Sequence, residues 1–274
     1  MTISVIIPAY EAEATLERAL ASLKAQTDPH WEALIVADDQ HDYEAFLAGK
    51  GLLDERFRFG STGLVRSGCH HARNIGFGLV QGDFVTQLDA DDELTADRFA
   101  TLLPLARTHG AAADNLYMID DATGAPIGRV LEDISEIQSL DLAAFMALNA
   151  PLVPLIRRDH VLPRVAGIEF SEDVIANIQL IDRIGWLPVA AQSSYIYRIR
   201  SGSMAQEEGA SARFEQAYSA YIERLERGDG FGLSERGRRA ALEGLVDKRE
   251  LNRAFMAARR HEPDLSFQAF ASRL

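Results

Sequence analysis

Gly82-Asp83-Phe84-Val85-Thr86-Gln87-Leu88-Asp89-Ala90-Asp91-Asp92 reads as a short strand that runs straight into a group of carboxylates. Phe84, Val85 and Leu88 suit a buried or half-buried strand. Three acids then fall within four residues, where like charges raise one another's pKa unless a cation sits among them. Carboxylate oxygens at this density suit a hard divalent ion, Mg²⁺ or Mn²⁺. The plainer reading is that the acids precede and cap the next helix, for which Thr95 and Asp97 make a good start. The loop lacks the glycine and the late glutamate of a calcium-binding hand.

Working outward, strand and helix signals alternate. Ile3–Pro8 is a continuous apolar strand, and residues 12–26 carry Leu16, Leu20 and Leu23 at helical spacing. Residues 31–37 form a second strand ending at Asp38-Asp39. A polar helix near 43–47, a strand around 57–59 and a helix over 71–80 precede the quoted strand, and a further helix spans 96–108. This order predicts βαβ units and a mainly parallel sheet flanked by helices, an α/β fold. Ligands in such sheets bind beyond the carboxyl ends of the strands. Pro8-Ala9-Tyr10, Asp38-Asp39 and Asp89–Asp92 all stand at such ends, so one crevice should gather them.

The second half is less regular. Residues 114–121 and 126–130 suggest a hairpin about Thr123-Gly124, and 140–148 a helix. Residues 152–156 read as extended. The stripe of Val174, Ile178 and Ile181 predicts a helix over 171–184, followed by an extended segment over 186–199. Beyond Gly202 the pattern is helical, with breaks near 228–232 and at Pro263. The expected division is a domain over 1–205, with a nucleotide-binding half (1–110) and an acceptor half (111–205), and a helical extension over 206–274.

The 274 residues are 47% hydrophobic and 25% charged, the make-up of an ordinary globular protein with a sizeable core. The single cysteine, Cys69, excludes an internal disulfide and fits a reducing compartment. No segment reaches membrane-spanning length, so a cytoplasmic protein is expected. A net charge of −13 argues against nucleic acid as a partner. The deficit lies in residues 1–205, where 16 Lys and Arg face 29 Asp and Glu; residues 206–274 hold 12 of each. Within that neutral tail, Arg236, Arg238, Arg239, Lys248, Arg249, Arg253, Arg259 and Arg260 form a locally basic stretch. Such a stretch is ordinarily a solvated helix face, and its alternative is peripheral contact with a membrane surface.

Val5 through Glu13 with Gln26-Thr27 resembles the opening of the family 2 glycosyltransferases, which have the GT-A fold. Ala37-Asp38-Asp39 resembles their nucleotide-binding acid pair, and Ala72-Arg73-Asn74-Ile75-Gly76 followed by the quoted stretch matches their middle in order and spacing. Phe170-Ser171-Glu172-Asp173 resembles their catalytic acid motif. Tyr197-Arg198 with Ser201-Gly202-Ser203 resembles their closing loop. The resemblance spans roughly residues 2–205.

That resemblance implies inverting transfer of a sugar from a nucleotide diphosphate, a UDP-sugar by preference, to a glycan or lipid-linked acceptor. A Mn²⁺ or Mg²⁺ ion would bridge the diphosphate and stabilise the leaving group. By resemblance, Asp91 is the metal ligand, Asp89 holds ribose or metal, and Asp92 supports them from behind. Pro8, Ala9, Tyr10, Glu13 and Asp39 would hold the nucleoside. Arg73 would reach base or phosphate, its structural alternative being an ion pair beside the acidic strand ends. Asp173 would be the general base. Its alternative is a charge in a first helical turn, favoured by the helix dipole, a location that depresses the pKa and weakens a base.

Some positions depart from the family's pattern. Glu11 stands where asparagine is common, and Gln40-His41 replaces a small pair. Arg200 stands where many members carry a histidine near the metal; it cannot ligate a cation but can clamp a diphosphate. His70 and His71 are adjacent, which is poor spacing for a metal pair on a helix, and Cys69 has no evident activating partner. The chain has no Gln-x-x-Arg-Trp sequence, which argues against a processive synthase. A sugar nucleotidyltransferase would carry a glycine-rich basic loop after the first strand, and Pro8–Glu13 is neither. A non-catalytic nucleotide-sugar-binding protein is the remaining alternative.

Overall fold

The computed structural model describes residues 1–131, 137–148, 152–165, 170–200, 209–228 and 231–262, and beyond these residues 265, 267, 270 and 273. The chain opens as expected. Strands β1 (Ile3–Ala9), β2 (Trp31–Ala37), β3 (Phe57–Ser61) and β4 (Phe84–Gln87) alternate with helices α1 (Leu16–Lys24), α2 (Tyr43–Gly49) and α3 (Cys69–Leu79). These strands pair in parallel in the order β3-β2-β1-β4. β1 is apolar on both faces because both are covered. Ile3, Val5, Ile7 and Ala9 enter the core beneath α1, while Ile6 lies under α3, where a Cβ on Gly76 would come within 2.5 Å of its Cγ2.

The remaining elements are β5 (Glu93–Leu94), α4 (Arg98–His109), β6 (Ala111–Asp120), β7 (Pro126–Arg129), β8 (Gln138–Leu140), α5 (Leu142–Ala147), β9 (Leu155–Arg157), α6 (Glu172–Ile184), β10 (Leu187–Ile199), α7 (Ala210–Glu226) and α8 (Glu235–Arg259). β9 enters the middle of the sheet antiparallel to both β4 and β6, giving the mixed order β3-β2-β1-β4-β9-β6-β10-β5. The expected hairpin forms from β6 and β7. β10 runs parallel to β6 with a register shift between Ala190 and Ser194, and its two halves take β8 and β5 as antiparallel partners. Helix limits follow local chemistry. The Asp42, Asp141 and Ser234 side chains accept from backbone N–H groups in the first turns of α2, α5 and α8. α4 and α6 stop at Gly110 and Gly185, both with φ near +90°.

Two cores result. One lies between the sheet and α1, α2 and α4; the other gathers Ala113, Leu187 and Val189 with α5, α6, α7 and α8. Tyr221 and Leu225 of α7 and Leu245 of α8 are as buried as anything in α6. The last two helices therefore share a hydrophobic core with residues of β6, α5, α6 and β10, and the sequence boundary at 205/206 falls outside the described residues. So do the expected loop Ser201-Gly202-Ser203 and the expected break at Pro263. The basic stretch on α8 is not a continuous surface: Lys248 points inward, its Nζ donating to the Leu148 carbonyl, and Arg253 pairs with Glu215 and Glu250. Among the described residues, no helix is long and apolar enough to cross a membrane.

Candidate active site

Because β2, β1 and β4 are parallel neighbours, the three loops after them open side by side. Asp39 ties two of these loops together. Its Oδ2 accepts from Glu11 N (2.7 Å) and from the Tyr43 hydroxyl (2.8 Å), and its Oδ1 accepts from His41 N (3.0 Å). Burial opposes ionisation, but these hydrogen bonds outweigh it and hold the Asp39 carboxyl below the usual range. Glu11 and Gln40 take positive φ to make the loops, at about 1–3 kcal/mol each. Asp38 is buried and organises the loop into α3, accepting from the Thr62 and Ser67 hydroxyls and from Gly68 N. Tyr10 stands exposed at the end of β1, whereas Ala9 is fully buried and offers only backbone, its carbonyl taking Asp38 N. Pro8 is half-buried within β1. Glu13 sits at the mouth, 3.5 Å from His41 Nδ1. Beside these loops is a hollow of about 430 Å³, lined by Gln40, His41, Tyr43 and Phe59 among others.

The carboxylate group after β4 is divided by burial. Asp92 is sealed inside, accepting from the Tyr195 hydroxyl (2.8 Å) and from Arg198 N (2.8 Å). Burial and the charges of Asp89 and Asp91 push its carboxyl well above the usual range. The Tyr195 oxygen also accepts from Asp89 N (3.0 Å), so one phenol fixes both ends of the turn. Asp91 pairs with Arg200 (Nη2 to Oδ2, 2.9 Å), and Arg18 Nη2 donates to its carbonyl at 2.9 Å. Burial and neighbouring Asp89 still push Asp91 up against the pull of Arg200. Asp89 is the most exposed of the three and takes Arg73 Nη2 at 2.6 Å.

Arg73 also reaches across the sheet. Its other guanidinium nitrogen pairs with Glu172, the first residue of α6. Glu172 is buried between Arg73 and Arg164, the latter at 2.9 Å, and these two cations overcome burial and lower its pKa. Asp173 follows it, half-buried; burial first and the Glu172 charge second raise its carboxyl. Arg73 thus forms the ion pair beside the acidic strand ends that was the structural alternative for it. Ser171, which precedes Glu172, has φ +56° and ψ +30°.

Several partners carry no local sequence signal. Arg164 lies in a stretch without periodicity, and Tyr195 is one of many apolar positions in an extended run. Arg18 looks like any exposed helix residue. His71 Nδ1 meets Ser67 Oγ at 2.9 Å, and burial raises the Cys69 thiol, so neither is set up as a ligand or nucleophile. Among the described residues, no three His, Cys, Asp or Glu side chains are grouped so as to hold a metal by themselves.

The family model for glycosyl transferase family 2 matches residues 4–138. A glycosyltransferase assigned to teichuronic acid biosynthesis in Bacillus subtilis (strain 168), TuaG, is 35% identical over 226 residues, 81% of this chain and 89% of that one. An Escherichia coli UDP-Glc:α-D-GlcNAc-diphosphoundecaprenol β-1,3-glucosyltransferase, WfgD, is 32% identical over 35% of this chain and 37% of its own length. The structure of Staphylococcus aureus TarS 1-349 in complex with UDP-GlcNAc superposes with a TM-score of 0.68 at 17% identity, covering 90% of this chain and 72% of that one. The fold is therefore that of this group of α/β enzymes. The chain belongs to glycosyltransferase family 2 and is a glycosyltransferase.

Proposed function

We propose that the protein transfers a sugar, with inversion, from a UDP-sugar to a hydroxyl of a glycan or lipid-linked acceptor in cell-surface polysaccharide or glycoconjugate synthesis. One observation carries this reading. Arg73 joins Asp89, at the end of β4, to Glu172, beside Asp173, so the donor-side acids and a raised carboxylate belong to one electrostatic unit. Asp173 accepts the proton of the acceptor hydroxyl as its oxygen bonds to the anomeric carbon, while the opposite bond to the diphosphate breaks and UDP leaves. A carboxylate raised by burial is a better base than one in an ordinary first helical turn. Arg200 faces the diphosphate, and Tyr10, Glu13 and Asp39, carried at the mouth by the strand end of Pro8 and Ala9, face the nucleoside.

The carboxylates fit a Mn²⁺ or Mg²⁺ ion shared with the substrate. Asp91 and Asp89 each have one oxygen engaged by an arginine, and burial, with the neighbouring Asp89 charge, keeps Asp91 raised. Such ions are commonly held by one or two carboxylates plus phosphate oxygens. Bound there, the ion would neutralise charge growing on the leaving diphosphate. The UDP-sugar and lipid-linked acceptor in the name of the E. coli relative support the substrate class.

The test is UDP release from a panel of UDP-sugars with a polyprenyl-diphosphate-linked GlcNAc acceptor, followed by NMR of the product's anomeric proton. A UDP-sugar and an inverted product are expected. Retained configuration, or no UDP release from any UDP-sugar with Mn²⁺ present, would overturn the reading.

A further inference from the structure

The residue before the Glu172-Asp173 pair is held in a conformation it does not favour. Ser171 sits at φ +56°, ψ +30°, the left-handed region that glycine enters freely and serine does not. It caps α6, yet its hydroxyl makes no capping bond to that helix. The groups around it come from α7 instead. Tyr221 donates its hydroxyl to the Phe170 carbonyl, immediately before the kink, and the Tyr218 phenol lies beside Ser171. The Phe170 ring meets Phe214 edge-on at 5.3 Å, and Phe214 stacks on Tyr218 at 6.1 Å. Three residues of one helix, 214, 218 and 221, at i, i+4, i+7 spacing, therefore hold Phe170 just before the kink and flank Ser171 itself.

We propose that Tyr218 and Tyr221 are positioning residues, holding Ser171 in its left-handed conformation and so aiming the Asp173 carboxylate at the acceptor. This rests on the reading of Asp173 as the base. The lever is short: Glu172 is pinned by Arg73 and Arg164, and Asp173 is the next residue along the same turn. With one residue anchored, the backbone angle at the cap decides where the other points. Burial pushes both phenols up, with the Asp173 charge contributing, which sets them in the same electrostatic neighbourhood. The C-terminal helices thereby belong to the site as well as to the core.

The test uses the full chain with Tyr221→Phe, Tyr218→Phe and the pair Ser171→Gly/Tyr221→Phe, with UDP release from UDP-glucose or UDP-GlcNAc, whichever the wild type turns over. Each phenylalanine keeps the ring and removes only the hydroxyl. Expected is a fall in kcat on the order of 10- to 100-fold with KM for the nucleotide sugar unchanged, as misaligned reacting groups give. Glycine at 171 needs no clamp, so the double variant should recover most of the Tyr221→Phe loss. Wild-type kcat in both single variants, or no recovery in the double, overturns the proposal. Hydrogen exchange over 170–176 separates this from failure of the functional reading. The Val174 and Ile175 amides, both bonded to the Ser171 carbonyl, should exchange faster in Tyr221→Phe even if no nucleotide sugar is turned over. Unchanged exchange there also overturns it.

Discussion

Arg200 and Asp91 form an ion pair, Nη2 to Oδ2 at 2.9 Å, that links the end of β10 to the carboxylates after β4. The guanidinium is 46% exposed on its side chain and the carboxylate 24%, so the pair faces the crevice and its members remain available to a ligand. Asp91 stays raised despite this partner, through burial first and the neighbouring Asp89 charge second.

With Asp89 and Asp91 gathered at the end of β4, UDP binding should depend on Mn²⁺ or Mg²⁺ through Asp91. Calorimetry of UDP against wild type with and without chelator should show a metal-dependent increment that Asp91→Ala abolishes. Arg200→Ala should weaken UDP in both conditions, because it removes a charge-assisted partner of the diphosphate and leaves the carboxylate in place. Equal UDP affinity in chelator and in Mn²⁺ would remove the metal from the scheme.

Asp173→Asn should keep donor affinity and lose turnover by on the order of 10²–10⁴-fold, the worth of a positioned general base. Burial and Glu172 raise this carboxyl. A base works when deprotonated, so the wild-type rate should climb as pH rises through a pKa above the ordinary carboxylate range. That limb should vanish in the asparagine variant. Full turnover in the variant would shift attention to Glu172, although its ion pairs with two arginines make it the poorer base.

The strand ends were legible because parallel βαβ units leave a strong signal: an apolar run, a polar loop, then helical periodicity. Pro8-Ala9-Tyr10, Asp38-Asp39 and Asp89–Asp92 could therefore be assigned to one crevice without coordinates. Periodicity reports which face of a helix is buried but not what buries it. Tyr221, Leu225 and Leu245 read as the apolar face of an extension, and only tertiary packing reveals that they share a core with α6. Lys248 read as part of a basic surface because the sequence cannot show that its neighbours Gly244, Leu245 and Asn252 face inward too. β9 is three residues long, too short for alternation to mark it as a central strand.

Below the site, Arg98 and Asp114 are both buried, joined at 2.8 Å, with Thr86, Ser193 and the Val153 carbonyl completing their contacts. Arg98→Met should cost about 3–5 kcal/mol, because it strands a buried carboxylate. Burial already raises Asp114, and without its partner the protonated form gains further. A folded-state pKa above the unfolded one makes stability fall as pH rises, so the deficit against wild type should be smaller at pH 5 than at pH 7.5. Urea titrations at the two pH values check both the size and the trend.

Lys248 supplies the complementary case of a buried cation. It is 9% exposed, donates to the Leu148 carbonyl, and burial pushes its ammonium down to about 8, with the Asp173 charge opposing. Below pH 8 the folded and unfolded chains are both protonated here, and the cost of the buried charge is present in full. Between about 8 and the ordinary lysine value the folded chain releases its proton while the unfolded chain keeps it, so stability rises with pH across that window. The shift corresponds to roughly 3 kcal/mol at most, reduced by whatever the ammonium's hydrogen bond contributes. Lys248→Met removes the titrating group with little change in length. Relative to that variant, wild type should gain stability steadily between pH 7.5 and pH 10, as measured by denaturant unfolding of both proteins in matched buffers. A stability difference that stays flat across this range would mean that Lys248 keeps its proton in the fold, with the ammonium better solvated than its burial implies.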